Sequence, residues 1–272
     1  LPDVILNFKK LGQGHPLIIL HGLYGSGENW LTIAKGLSSV CEVILVDQRN
    51  HGHSFHSDIH DYDVMSEDLL TLMDHLQIPS ANILGHSMGG RTAMQFAFDH
   101  PGRVTGLIVA DISPRSYNDP ILDAGHQEFH QNILQTLAQM NLAGITSYGQ
   151  AEALMANGIK DKRIRQFLLK NLERTPDGSF RWLLNIPALI SNLGCINLGI
   201  GSTLEKAVAV TRFPVLFIKG DHSDYIQAED ILAIRQFFPL SQMVTIKNAG
   251  HWLHAEQPAH FISVVRSFLL NR

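Results

Sequence analysis

The chain has 272 residues, 45% hydrophobic and 17% charged, which suits one sizeable domain, or one with an inserted lobe, burying about three quarters of its unfolded surface. A net charge of −4 without any run of lysine and arginine excludes the electrostatic footprint of a nucleic-acid partner. No stretch approaches the ~20 apolar residues that span a bilayer, so no membrane partner is expected.

Two cysteines, Cys41 and Cys195, lie far apart and lack metal or redox-motif spacing. They read as free thiols of a reducing compartment, and a cytoplasmic location is expected. The chain begins at Leu1 and shows no signal-peptide pattern, which leaves room for a leader removed upstream.

In chain order, Val4 to Phe8 is expected as a first strand, ended by the Gly12-Gln13-Gly14 turn. Leu17 to Leu20 is an uninterrupted apolar run, the pattern of a parallel strand covered on both faces. It enters the glycine-rich loop His21-Gly22-Leu23-Tyr24-Gly25-Ser26-Gly27. A phosphate loop would need a lysine-serine ending that is absent here. A backbone N–H at Leu23 turned toward a ligand fits better.

Val43 to Val46 is the next strand, closing on Asp47-Gln48-Arg49-Asn50-His51-Gly52-His53-Ser54. His51, His53, His56 and His60 invite a metal reading, but their spacing is irregular and no coherent cysteine or carboxylate set accompanies them. A hydrogen-bonded loop without metal is expected. Helical spacing of Leu69, Leu72, Met73 and Leu76 then marks a core-facing helix from Asp63 to Leu76.

Asn82-Ile83-Leu84-Gly85-His86-Ser87-Met88-Gly89-Gly90 is the stretch that concentrates chemistry. A short apolar strand, a turn with glycines on both sides of a serine, and a helix from Met88 to His100 fit a nucleophile elbow. That helix would aim its free N–H groups and positive dipole end at charge created on Ser87. Another buried strand, Val104 to Ala110, ends on Asp111, at the rim where open α/β sheets hold ligands.

From about Ser113 to Arg212 the strand pattern stops and helical spacing takes over: Phe129, Ile133, Leu134 and Leu137, then Ile164, Phe167 and Leu168. About a hundred residues of helical insertion are expected, with Gly194 to Ser202 as a loose connection. Most of these apolar groups pack the lobe onto itself, and Trp182 and Leu183 are candidates to line a pocket between lobe and sheet. The expected organisation is a core of residues 1–112 and 213–272 with a helical cap over 113–212.

Strands resume at Pro214 to Ile218, followed by Lys219-Gly220-Asp221-His222-Ser223-Asp224, a helix over Glu229 to Phe238 and a last strand, Gln242 to Ile246. The loop Asn248-Ala249-Gly250-His251-Trp252-Leu253-His254-Ala255-Glu256 then leads into an amphipathic helix from Pro258. The βαβα alternation on both sides of the insertion predicts a mostly parallel sheet flanked by helices. Ser87, then Asp111 or Asp224, then His251 is the chain order of nucleophile, acid and histidine in one hydrolase architecture.

On these motifs the chain resembles the α/β-hydrolase fold superfamily over nearly its whole length. Within it, Val46-Asp47-x-Arg49-Asn50-His51-Gly52-x-Ser54, Gly85-His86-Ser87-Met88-Gly89-Gly90, Asp111-Ile112-Ser113-Pro114 and Gly250-His251-Trp252-Leu253-His254-Ala255-Glu256 resemble the YbfF-like esterases and their abhydrolase-domain-11 relatives. Most superfamily members carry the acid three positions after the glycine ending the penultimate strand, where this chain has Ser223. The resemblance implies that Asp111 takes that role with Ser223 as hydrogen-bond support, leaving Asp224 a rival and Asp221 a more distant one. It also implies cleavage of carboxyl esters, or thioesters, of small to medium acyl groups through a Ser87-His251-Asp111 triad. Leu23 and Met88 N–H groups would form the oxyanion hole, with no cofactor.

Two other readings stay open: an acyl-enzyme passed to an alcohol or peroxide, and a non-catalytic ligand receptor on the same fold. The sequence leaves the oligomeric state open.

Overall fold

The computed structural model describes residues 4–117, 123–200, 203, 205 and 208–271. Among them, seven strands form one sheet: β1 (Phe8–Leu11), β2 (Pro16–Leu20), β3 (Glu42–Val46), β4 (Ala81–His86), β5 (Val104–Ala110), β8 (Val215–Gly220) and β9 (Gln242–Ile246). Their spatial order is β1-β3-β2-β4-β5-β8-β9, with β1 antiparallel to β3 and every other pair parallel. The helices are α1 (Leu31–Leu37), α2 (Tyr62–His75), α3 (Met88–Asp99), α4 (Ala124–Ala138), α5 (Tyr148–Met155), α6 (Lys162–Leu169), α7 (Ile186–Ser191), α8 (Leu193–Leu198), α9 (Asp230–Phe237), α10 (Leu253–Glu256) and α11 (Pro258–Leu270).

The apolar runs form strands because both faces are covered. Successive residues alternate between two cores: Ile18, Ile83, Val109 and Phe217 face one, with α2, α3 and α9, while Ile19, Leu84, Ile108 and Leu216 face the other, with α1 and α11. The Pro258 helix buries Phe261, Val265 and Phe268 in the second core, where Trp30 is also fully buried.

The first strand differs from its expected place. Leu6 plugs the core, and the ladder begins two residues later, with Phe8 opposite Val46 and Leu11 opposite Val43. An edge strand covered on one side needs less apolar character than the Val4–Phe8 run suggested.

Between β5 and β8 the chain is mainly helical, and its helices pack chiefly on one another. It also holds a short antiparallel pair, β6 (Leu172–Arg174) and β7 (Phe180–Trp182), which helical spacing did not anticipate. Three-residue strands joined by a turn at Gly178, φ 87°, are too short to show a period of two. Of the connection expected from Gly194 to Ser202, the part up to Leu198 is helix α8, while Gly201 and Ser202 lie outside the described residues. No helix among the described residues is long and apolar enough to cross a membrane.

Candidate active site

The parallel ladder places the functional candidates side by side. His86 is in register with Ala110, and Ala110 with Ile218, so Ser87, Asp111 and the Gly220–Ser223 turn leave adjacent strands at the same carboxyl edge. The backbone continues the ladder one step further: Ser87 N–H donates to Ala110 O at 3.0 Å and Asp111 N–H to Ile218 O at 2.8 Å.

Ser87 sits at φ 53°, ψ −119°, and Asp111 at φ 52°. Non-glycine residues in such conformations cost about 1–3 kcal/mol each and persist only where their surroundings over-determine them. The elbow closes so tightly that a Cβ on Gly85 would lie 2.0 Å from Gly89 O, and one on Gly89 2.3 Å from Leu20 O. Only glycine lets helix α3 start against β2, with its amino end beside Ser87.

Asp111 is fully buried. One carboxylate oxygen accepts Gly220 N–H at 3.0 Å; the other accepts the Ser223 hydroxyl and His251 Nδ1–H, the latter at 2.8 Å. With Nδ1 carrying the proton, His251 Nε2 is left as the basic nitrogen. Asp224 is exposed and engages through its backbone carbonyl, which accepts from Gln227; Asp221 accepts Ala249 N–H at 3.2 Å. The carboxylate in contact with His251 is that of Asp111.

The His251 loop is held at several points. Gly250 N–H donates to Glu256 at 2.8 Å, and His86 Nε2–H to the His251 carbonyl at 2.8 Å. Burial first, and the neighbouring His251 second, push the His86 ring from 6.5 to about 3, so it stays neutral. His254 stacks on Trp30 at 4.0 Å between ring centres, and burial holds it well below its ordinary value.

The His21–Gly25 loop is set by the Asp47–Ser54 loop. Tyr24 N–H donates to His51 Nε2 at 3.2 Å, Gln48 N–H to His21 Nε2 at 3.0 Å, and Gln48 Nε2 to His21 O at 2.6 Å. His51 donates through Nδ1 to Arg49 O, and burial lowers both His21 and His51. Of the other histidines in that region, His60 meets Asn50 and His56 donates to Leu183 O. Their spacing reflects loop scaffolding; among the described residues no three His, Cys, Asp or Glu side chains are grouped to hold a metal ion.

A narrow cavity of about 50 Å³ opens above Ser87 and His251. Leu23 and Trp252 line it from the sheet side, and Phe129, Ile133, Ile164 and Phe167 from α4 and α6. Among the described residues, no lysine, arginine, aspartate or glutamate lines it. Trp182 and Leu183, expected to line the pocket, are elsewhere. Trp182 sits in the β6–β7 pair opposite Leu172, and Leu183 bridges Asn171 O and His56. The wall comes instead from residues whose helical spacing was visible but equally suited packing within the insertion. Tyr225, stacked on His251 at 3.7 Å, carries no sequence signal beyond its place near Ser223.

Comparison with known proteins agrees with this fold. The profile described as "alpha/beta hydrolase fold" matches residues 15–258. The chain is 36% identical to the sn-1-specific diacylglycerol lipase ABHD11 of Danio rerio, covering 96% of this chain and 80% of that protein. It is 33% identical to esterase YbfF of Escherichia coli K12, over 93% of this chain and 92% of that one. Among solved structures, a marine microorganism esterase superposes with a TM-score of 0.90 at 42% identity, covering 97% of this chain and 99% of the other.

Proposed function

The chain belongs to the α/β-hydrolase fold family and is a carboxylic-ester hydrolase, and from that premise we propose that it works through an acyl-enzyme on Ser87, with His251 as base and Asp111 as acid. His251 Nε2 takes the Ser87 proton as the oxygen attacks the acyl carbonyl, and Asp111 fixes the tautomer and stabilises the imidazolium. Leu23 and Met88 N–H groups receive the oxyanion, each such donor being worth about 3 kcal/mol of barrier. The proton then passes to the leaving alcohol, and water activated by His251 releases the acid.

Residues 113–212 act in this reading as a cap whose α4 and α6 wall the acyl site. Substrates are esters of neutral, apolar acyl groups of small to medium length. Thioesters react by the same chemistry, although an uncharged lining favours acyl carriers without phosphate groups near the site.

The observation that supports this most directly is the hydrogen bond that buried Asp111 accepts from His251, which lines one cavity together with Ser87. A serine-directed fluorophosphonate tests it: the unmodified protein should label and Ser87→Ala should not. Equal labelling of both moves the nucleophile elsewhere, and no labelling of either favours a binding protein. Nitrophenyl esters and acyl thioesters of graded chain length, run on one preparation, then separate ester from thioester preference.

A further inference from the structure

The Tyr225 ring lies nearly parallel to the His251 imidazole, with centroids 3.7 Å apart and planes inclined by 17°. That distance is full face-to-face contact. The phenol therefore covers one face of the ring that must become cationic during turnover.

Tyr225 is itself held on both sides. Its N–H points at Ser223 Oγ (3.4 Å), the hydroxyl that also donates to Asp111, and its carbonyl accepts the Tyr117 hydroxyl. His126 contributes a further ring contact at 4.7 Å. His86 makes a tilted ring contact with His251, 4.7 Å away between ring centres.

We propose that Tyr225 is a positioning residue that stabilises the His251 imidazolium through its aromatic face, an inference that rests on His251 being the general base. The other groups facing His251 are Asp111, which accepts its Nδ1–H, and His86, His126, His130 and His254. All four histidines are pushed below their ordinary values by burial first, so near neutrality they add no full charge. Burial also raises the Tyr225 hydroxyl, so the ring stays a neutral phenol. Asp111, which accepts Nδ1–H, and the aromatic face of Tyr225 are then the two groups placed to stabilise the imidazolium formed in the transition state.

The test is the pH dependence of kcat/KM on an uncharged ester for wild type, Tyr225→Phe and Tyr225→Leu. Tyr225→Phe keeps the aromatic face and should follow wild type. Tyr225→Leu keeps bulk without a π face, and its plateau should fall about threefold to thirtyfold, the span of a cation–π contact. Its acidic limb should move to lower pH by the logarithm of that factor, about 0.5 to 1.5 units. Below that limb the two enzymes should converge, because free enzyme and transition state then both contain the imidazolium and the lost contact cancels.

A merely structural defect lowers the profile at every pH. A Tyr225→Leu limb at the wild-type position, or Tyr225→Phe impaired as much as Tyr225→Leu, overturns the proposal. If Tyr225→Leu does not fold, Tyr225→Met serves in its place and the Tyr225→Phe comparison still decides. His251→Ala is the control for the underlying reading: full activity there removes the base assignment itself, whatever the Tyr225 variants do.

Discussion

Ser87 and Asp111 stand on backbone locked by the parallel ladder, whereas Phe129, Ile133, Ile164 and Phe167 stand on helices that pack mainly on one another. At the sheet rim, position follows from strand register and changes only if the sheet slips. In the segment between β5 and β8, position follows from side-chain packing, which tolerates substitution and reshaping. In the proposed reading, chemistry therefore belongs to the rim and acyl selectivity to the segment above it.

The sharpest break of that comparison is at the rim. Ser87→Ala should lower turnover by about 10⁶-fold, as removal of a triad nucleophile does, with the fold intact by circular dichroism. Residual activity near wild type would place the reaction off the elbow. Asp111→Asn should cost about 10⁴-fold in kcat, while Asp224→Asn stays within about twofold of wild type. The reverse pattern would transfer the acid to Asp224.

Acid stability should also separate the regions. His60, His86 and His130 are held at about 3, and burial lowers His21, His51 and His254 as well. A histidine neutral in the fold but able to protonate near 6.5 when unfolded gives stability that is complete above about 6.5. That stability is lost as pH falls toward about 3. Urea midpoints should drop through that window, and because most of these rings belong to the rim, probes there should report the loss. A midpoint independent of pH would show that the rings are solvated.

Smaller effects are expected above the sheet. Phe167→Ala should cut kcat/KM for the longest acyl chains about tenfold while sparing acetyl esters, since each lost methylene contact is worth ~1 kcal/mol. Equal loss across the series would mean that Phe167 supports the His251 loop, through Trp252 at 5.3 Å, rather than the acyl group. Trp182→Ala, outside the cavity, should leave activity within about twofold and lower stability by about 1–3 kcal/mol, read from denaturant melts.

The legibility of the chain follows the same division. Strands β2, β3, β4, β5 and β8 were readable because doubly covered strands need continuous apolar runs. The elbow was readable because its geometry admits only glycine at two places. The edge strand β1 and the β6–β7 pair were misplaced or missed, being short and only partly covered. Phe129 and Phe167 were visible as members of helical stripes, but spacing cannot say which side of a helix meets a neighbour and which meets a cavity. Trp182 and Leu183 looked suitable by size, and size alone does not locate a side chain.

From the sequence alone came the fold class, the serine on its strained turn and the ordered set of acid and histidine candidates, because these depend on rules acting within a few residues. The tertiary structure decided which carboxylate meets His251, since that contact joins residues 140 positions apart and depends on strand register. It likewise decided which rings stay neutral, which apolar groups line the cavity above Ser87 and what lies flat against the imidazole. Burial and contact between distant segments set those properties, and neither is written in any local pattern.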